Sequence, residues 1–187
     1  FFKELRAICD EHEIIFILDE VQTGIGLTGS FWAHEHFGVQ PDLICFGKKT
    51  QVCGILASRR FDQIENNVFA ESSRINSTFG GNLVDMVRCS TILKIIEKEN
   101  LVENARLRGA ELLEGIEQLS TDFPEQISNP RGLGLMCAFD LADGEKRKTF
   151  LAKILREKIL LVGCGEKSIR FRPHLIITAE EVQHIID

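Results

Sequence analysis

The sequence predicts an α/β fold: part of a mostly parallel sheet, followed by a smaller α+β region. Three observations carry this expectation. Helical and strand-like patterns alternate from Phe2 to Ser58. Two of the strand-like runs, IIFILD and LICF, are unbroken apolar stretches, the pattern of strands covered on both faces. From Gly81 onward the pattern changes to two long amphipathic helices, then short strands and further helices.

Taken in order, residues 2–12 predict a helix, with Phe2, Leu5, Ile8 and Cys9 at helical spacing. Residues 14–19 predict the first buried strand, ending on Asp19-Glu20 before the turn-rich TGIGLTGS. FWAHEHFG predicts a short helix stopped by Gly38. LICF is the next strand, leaving at Gly47, and VCGILAS a third short one. Residues 82–100 and 101–119 predict two helices in series, with Asn82 as a cap and Leu101, Ala105, Leu112, Ile116 and Leu119 lining the second. A loop at TDFPEQ follows, then a strand over LGLMCAFDL, a helix over residues 145–158, and a hairpin KILLV–GCGEK–SIRFR. The final helix opens on Thr178 and Glu181 in a capping-box arrangement.

Composition narrows the function classes. The chain has 187 residues, 44% hydrophobic and 27% charged, within the range of globular proteins. A net charge of −6 argues against non-specific binding to nucleic acid or anionic membranes. Apolar runs are far shorter than a membrane span. The six cysteines are scattered with no CxxC pair, which suits reduced thiols in a cytoplasmic protein. No metal site is expected: His34 and His36 are a close pair, but residues two apart diverge on a helix.

Four groups of residues can carry chemistry. Asp19 stands at the carboxyl end of the first strand, where open α/β sheets bind ligands; it either meets a cation or protonated heterocycle there, or caps the following turn. Lys48 and Lys49 end the next strand on the same sheet edge, as a Schiff-base nucleophile or as a solvated turn. SRINSTFGGN brings Ser77 and Thr78 hydroxyls ahead of two glycines and a helix start, a phosphate site or a plain helix entry. In SIRFRP, Arg170 and Arg172 share one strand face, to grip a carboxylate or to decorate an exposed edge.

Together these segments are more specific than any one alone. The order FILDEVQTGIGLTG, GVQPDLICFGKK, NSTFGGN, IRFRP resembles the class III aminotransferases, pyridoxal-phosphate enzymes of fold type I, with Lys48 placed 29 residues after Asp19. Within that family GKKTQVCG, SRINSTFGGNL and NPRGLGLMCAFDL are similar to the lysine 6-aminotransferases. The resemblance runs over the whole chain but covers only the carboxyl-terminal half of a family member. It implies residues 1–100 as the carboxyl-terminal part of the cofactor-binding large domain and 101–187 as a small terminal domain, incomplete at its end.

The resemblance also implies roles. Lys48 would hold pyridoxal 5'-phosphate as a Schiff base and then move a proton between substrate and cofactor carbons. Asp19 would keep the pyridine nitrogen protonated, Val21 would lie against the ring, and Gln22 would reach the ring hydroxyl and the substrate side. Thr78 would bind the cofactor phosphate of the neighbouring subunit in a homodimer with shared active sites. Asn76 would approach substrate from the same loop, and Arg170 would receive a substrate carboxylate. His174 stands where the family's R-x-x-P-P motif has its second proline. The implied substrates are L-lysine and 2-oxoglutarate, reacting in ping-pong order. Two alternatives stand beside this one: a class III enzyme acting on ornithine, acetylornithine or 4-aminobutyrate, and a non-catalytic remnant. The expected phosphate cup and the second carboxylate-binding arginine of the family are not in these residues, so the chain is expected to be a fragment, inactive by itself.

Overall fold

A computed structural model describes residues 1–75 and 78–187, which divide into two compact units: residues 1–25 with 32–99, and residues 26–31 with 100–187. In the first unit, helix α1 (Phe2–Glu11) buries Cys9 against Phe16 and Val39, with Phe2, Leu5 and Leu18 half-buried around them. Spacing of three and four residues puts Phe2, Leu5 and Cys9 on one helix face. A three-stranded sheet follows, in the order β1 (Ile17–Asp19), β2 (Leu43–Phe46), β3 (Gly54–Ala57).

β1 and β2 pair in parallel, joined through the short 3-10 helix Ala33–Phe37. That helix ends on Gly38 in the left-handed region at φ 60°, as the sequence predicts. β3 runs antiparallel to β2, because the seven residues between Phe46 and Gly54 are too few for a parallel crossover. The first strand is shorter and less covered than expected. Only Ile17–Asp19 pair, and Ile14 and Ile17 are exposed, because β1 has a single neighbour among the described residues. Asn82 caps α2 (Leu83–Lys98) by accepting from the Val84 N–H at 2.9 Å, as the sequence suggests.

A charged cluster ties this unit together. The Asp42 carboxylate accepts from the Phe16 N–H at 2.7 Å and from Arg6 at 2.9 Å, with Arg60 at 3.3 Å. Burial alone would raise its pKa, but the Phe16 N–H and the two guanidiniums together hold it below the usual carboxylate range. A carboxyl lowered on folding stabilises the native state above its ordinary titration range, and this contribution is lost as pH falls through the lowered value. Asp42→Asn is therefore expected to destabilise the chain by about 2 kcal/mol at neutral pH. In urea melts the gap between variant and parent should close below about pH 4. A gap that does not vary with pH would contradict this role.

The second unit is built on a four-stranded antiparallel sheet in the order β4 (Ser128–Leu133), β5 (Met136–Asp140), β7 (Ser168–Phe171), β6 (Val162–Cys164). Helix α3 (Leu101–Asp122) lays Ala105, Leu112 and Ile116 on it, and these meet Cys137, Phe139, Ile169 and Phe171 in one core. The alternation of buried positions along β5 and β7 is that of strands with one face packed. Burial pushes the Cys137 thiol up to about 12, so it packs as a small hydrophobe. α4 (Gly144–Ile154) is capped by Asp143, whose side chain accepts from the Lys146 N–H at 2.7 Å.

α5 (Ala179–Ile186) carries the Thr178–Glu181 capping box that the sequence predicts. β4 has no counterpart in the sequence reading. It includes Pro130, departs from regular register between Ser128 and Arg131, and holds Asn129 at φ 54°. A strand this irregular at a sheet edge leaves no alternating pattern to detect. The strand predicted over 133–141 is accordingly a hairpin, with Gly134 at its turn. Of the six cysteines, all free, Cys9 and Cys137 are buried while Cys53 and Cys164 are exposed, so not all of them pack inside. No described helix is long and apolar enough to cross a membrane.

Candidate active site

The site begins at the carboxyl end of β1. Asp19 is exposed, and one of its oxygens accepts from the Val21 N–H at 3.0 Å. That is a turn cap, the plainer of the two readings of this residue, and it leaves the carboxylate at the sheet edge. The chain then turns tightly, with the Gly24 N–H donating to the Glu20 carbonyl at 2.9 Å. Val21 and Gln22 are half-buried within that turn.

The second strand brings two lysines to the same turn. β1 and β2 are parallel with Asp19 opposite Cys45, so both strands release their chains on one edge. The Lys48 Nζ donates to the Gln22 Oε1 at 2.6 Å, and the Lys49 Nζ donates to the Gln22 carbonyl at 2.8 Å. Lys48 is exposed and its backbone sits at φ 53°. A non-glycine residue there costs about 1 kcal/mol, and such outliers concentrate at functional positions. The turn is held by the Gln51 N–H on the Lys48 carbonyl at 2.9 Å and by the buried Thr50 hydroxyl on the Val52 carbonyl at 2.7 Å. Asp19, Val21, Gln22 and Lys48 are thus assembled on one sheet edge.

The remaining candidates are not part of this cluster's geometry. Asn76, with Ser77, lies outside the described residues. Thr78 is exposed in the turn leading towards α2. Arg170 stands on β7 in the second unit, half-buried, on the face opposite Ile169 and Phe171. It lines a groove of about 370 Å³ together with Leu160, Pro173, His174 and Ile177. Among the described residues no group of three or more histidine, cysteine or acidic side chains could hold a metal ion.

One feature went unseen in the sequence: Glu20 is buried, 3% exposed, beneath the Gln22 turn. Its carboxylate accepts from the Ala33 N–H at 2.7 Å, the His34 N–H at 2.8 Å, the His34 Nδ1 at 2.9 Å and the Thr23 hydroxyl at 3.1 Å. His34 is itself buried, whereas His36 is exposed. Partners thirteen and fourteen residues apart leave no periodic signal. The sequence offers only a second acidic residue after Asp19, with the histidine-bearing helix thirteen residues further on.

Tested against pyridoxal phosphate, this edge fits the group's needs in part: an accessible primary amine, a carboxylate and an amide converge on one turn. Comparison with known proteins points the same way. The family model for class-III aminotransferases matches residues 1–187. An L-lysine-epsilon aminotransferase of Mycobacterium tuberculosis is 46% identical over 186 residues, spanning 100% of this chain and 41% of that protein. Human mitochondrial 4-aminobutyrate aminotransferase is 38% identical over 178 residues, 94% of this chain and 34% of its own length. Among solved structures, a lysine aminotransferase from M. tuberculosis superposes with a TM-score of 0.95 at 45% identity, covering 99% of this chain and 42% of the other. Plasmodium falciparum ornithine delta-aminotransferase gives 0.86 at 28% identity, over 99% and 47%. The chain therefore spans less than half the length of the relatives it matches.

Proposed function

The chain belongs to the class III aminotransferases, and from that membership we propose that it supplies the Schiff-base lysine and part of the cofactor site of a pyridoxal-phosphate-dependent lysine 6-transaminase. The observation that carries this reading is the Lys48 ε-amine held at 2.6 Å from Gln22, on the turn that Asp19 caps. The choice of amino donor rests on 46% identity to an L-lysine-epsilon aminotransferase, against 38% for a 4-aminobutyrate enzyme. The reaction moves the 6-amino group of L-lysine to 2-oxoglutarate, giving 2-aminoadipate 6-semialdehyde and glutamate. We assign it to the polypeptide that carries this sequence, acting as a homodimer, rather than to these 187 residues by themselves.

Bound pyridoxal phosphate supplies an electron-withdrawing ring that stores the charge left when a substrate proton departs. The chain's own residues do the rest. Lys48 would hold the cofactor through its amine and would take up and return the substrate proton. Asp19, at the strand end, would keep the ring nitrogen protonated, Val21 would lie against the ring, and Gln22 would orient both the lysine and the ring hydroxyl. Thr78 would contribute to phosphate binding across the dimer, Asn76 would serve the substrate side, and Arg170 would receive a substrate carboxylate. In this reading residues 1–100 are the carboxyl-terminal part of the large domain and residues 101–187 belong to the small terminal domain.

A donor panel of lysine, ornithine, acetylornithine and 4-aminobutyrate with 2-oxoglutarate as acceptor tests the assignment. Lysine is expected to give the highest kcat/KM. Preference for ornithine or 4-aminobutyrate would move the protein to another substrate within the family. Arg170→Ala is expected to raise KM for one of the carboxylate substrates by about tenfold or more, the size of a lost charge-assisted contact.

A further inference from the structure

We infer that Glu20 is a positioning residue for the lysine-bearing edge: its buried carboxylate locks the turn that presents Gln22 to Lys48 and Lys49. The inference rests on the reading of Lys48 as the cofactor lysine. Every attachment of Glu20 limits this turn. Its N–H donates to the Cys45 carbonyl at 2.9 Å, fixing it to β2. Its carbonyl receives the Gly24 N–H at 2.9 Å, which closes the turn around Val21 and Gln22. Its carboxylate takes the Thr23 hydroxyl within that turn, and reaches across to the first residues of the 3-10 helix at Ala33 and His34.

A carboxylate has about four lone-pair positions, and four donors face this one. Such an acceptor-only group cannot be replaced by its amide without conflict. Glutamine keeps one oxygen and turns an NH₂ towards backbone N–H donors, so at least one buried pair becomes donor against donor. Since the turn has its carboxylate anchor on one side and the Lys49 contact to the Gln22 carbonyl on the other, loosening the anchor moves Gln22. A shift of Gln22 breaks one hydrogen bond of each lysine amine, because each donates to that residue. The effect of Glu20 on chemistry is thus transmitted through Gln22, and Glu20 itself need touch neither substrate nor cofactor.

The test is competitive acylation of lysine side chains in the cofactor-free protein, mapped by peptide mass spectrometry, with the exposed Lys153 of α4 as internal standard. Glu20→Gln is expected to raise labelling of Lys48 and Lys49 relative to Lys153 by about three- to tenfold, the equivalent of one lost hydrogen bond at each amine. Thr23→Val removes one donor and leaves the carboxylate in place, so it should give a smaller change of the same sign and serves if Glu20→Gln does not fold. Unchanged ratios in whichever folded variant is measured would overturn the inference. A separate arm treats the full polypeptide that carries this sequence with pyridoxal phosphate and borohydride. Changed ratios without cofactor trapped on Lys48 would remove the functional reading and leave the positioning role standing. Trapping on Lys48 with unchanged ratios would do the reverse.

Discussion

On the role proposed for Lys48, Lys48→Ala in the full polypeptide that carries this sequence is expected to lower transamination by about three orders of magnitude or more, the scale of losing a nucleophile that also serves as the proton carrier. The expectation follows from position as well as chemistry. Lys48 is one of two adjacent lysines, but the two do different things in this fold. The Lys48 amine is on the exposed side and meets a side-chain oxygen, whereas the half-buried Lys49 reaches the main-chain carbonyl of the same residue. Lys49→Ala should therefore loosen the Gln22 turn and reduce turnover moderately, without removing the attachment point. Borohydride reduction in the presence of pyridoxal phosphate, followed by peptide mapping, separates them: the pyridoxyl group should be found on Lys48 and vanish in Lys48→Ala. A pyridoxyl group on Lys49 in the parent protein would reverse the assignment.

Gly109→Ala should be strongly destabilising for so small a substitution in the second unit. Alanine in a helix interior would ordinarily gain about 1 kcal/mol over glycine. Here an added Cβ would run into the Gly134 carbonyl carbon and oxygen, where α3 lies directly on the β4–β5 turn. Gly134 in turn is at φ 53° and faces the backbone of the 26–31 segment, where its own Cβ would lie 2.6 Å from the Gly29 nitrogen. The Leu135 N–H donates to the Leu27 carbonyl at 3.0 Å, so that side cannot readily give way. Overpacking of about 3 kcal/mol outweighs the helix gain, leaving a net loss of about 2 kcal/mol. At this chain length the melting temperature should fall by about 4–8 °C. Gly165 is a useful contrast: it is at φ 54° with nothing within 4 Å of an added Cβ. Gly165→Ala should cost only the conformational strain, about 1 kcal/mol. Equal losses at the two positions would show that backbone packing at Gly109 is not the determinant.

Legibility in the sequence followed the range of the interaction. Local signals read correctly: the Asn82 cap, the Thr178–Glu181 capping box, Gly38 as a helix stop and the apolar stripe on α3 all depend on residues within a turn or two. The pairing of Asp19 and Lys48 on one edge was also accessible, because a strand–helix–strand unit forces parallel strands to release their chains on the same side. Elements set by distant partners did not read. β3 showed a strand pattern but not its antiparallel direction, and β4 showed no pattern because its proline and bulge are tolerated only at an edge. The first strand looked covered on both faces from its apolar run, yet burial depends on neighbours that a run of side chains does not specify.

By itself, the sequence determined helices α1 to α5, the caps at Asn82 and Thr178–Glu181, the stop at Gly38, the strands that lead to Asp19 and Lys48, and the class III motifs joining them. Each of those is encoded by residue type and short spacing. Only the tertiary structure decided how the site's turn is held: Glu20 reaches Ala33 and His34, Lys49 reaches the Gln22 carbonyl, and Gly109 meets Gly134. These contacts join residues that are far apart in the chain. The burial of Glu20 and the strain at Lys48 follow from packing, which brings distant donors to one carboxylate and holds one lysine in a backbone region that its own sequence would not choose.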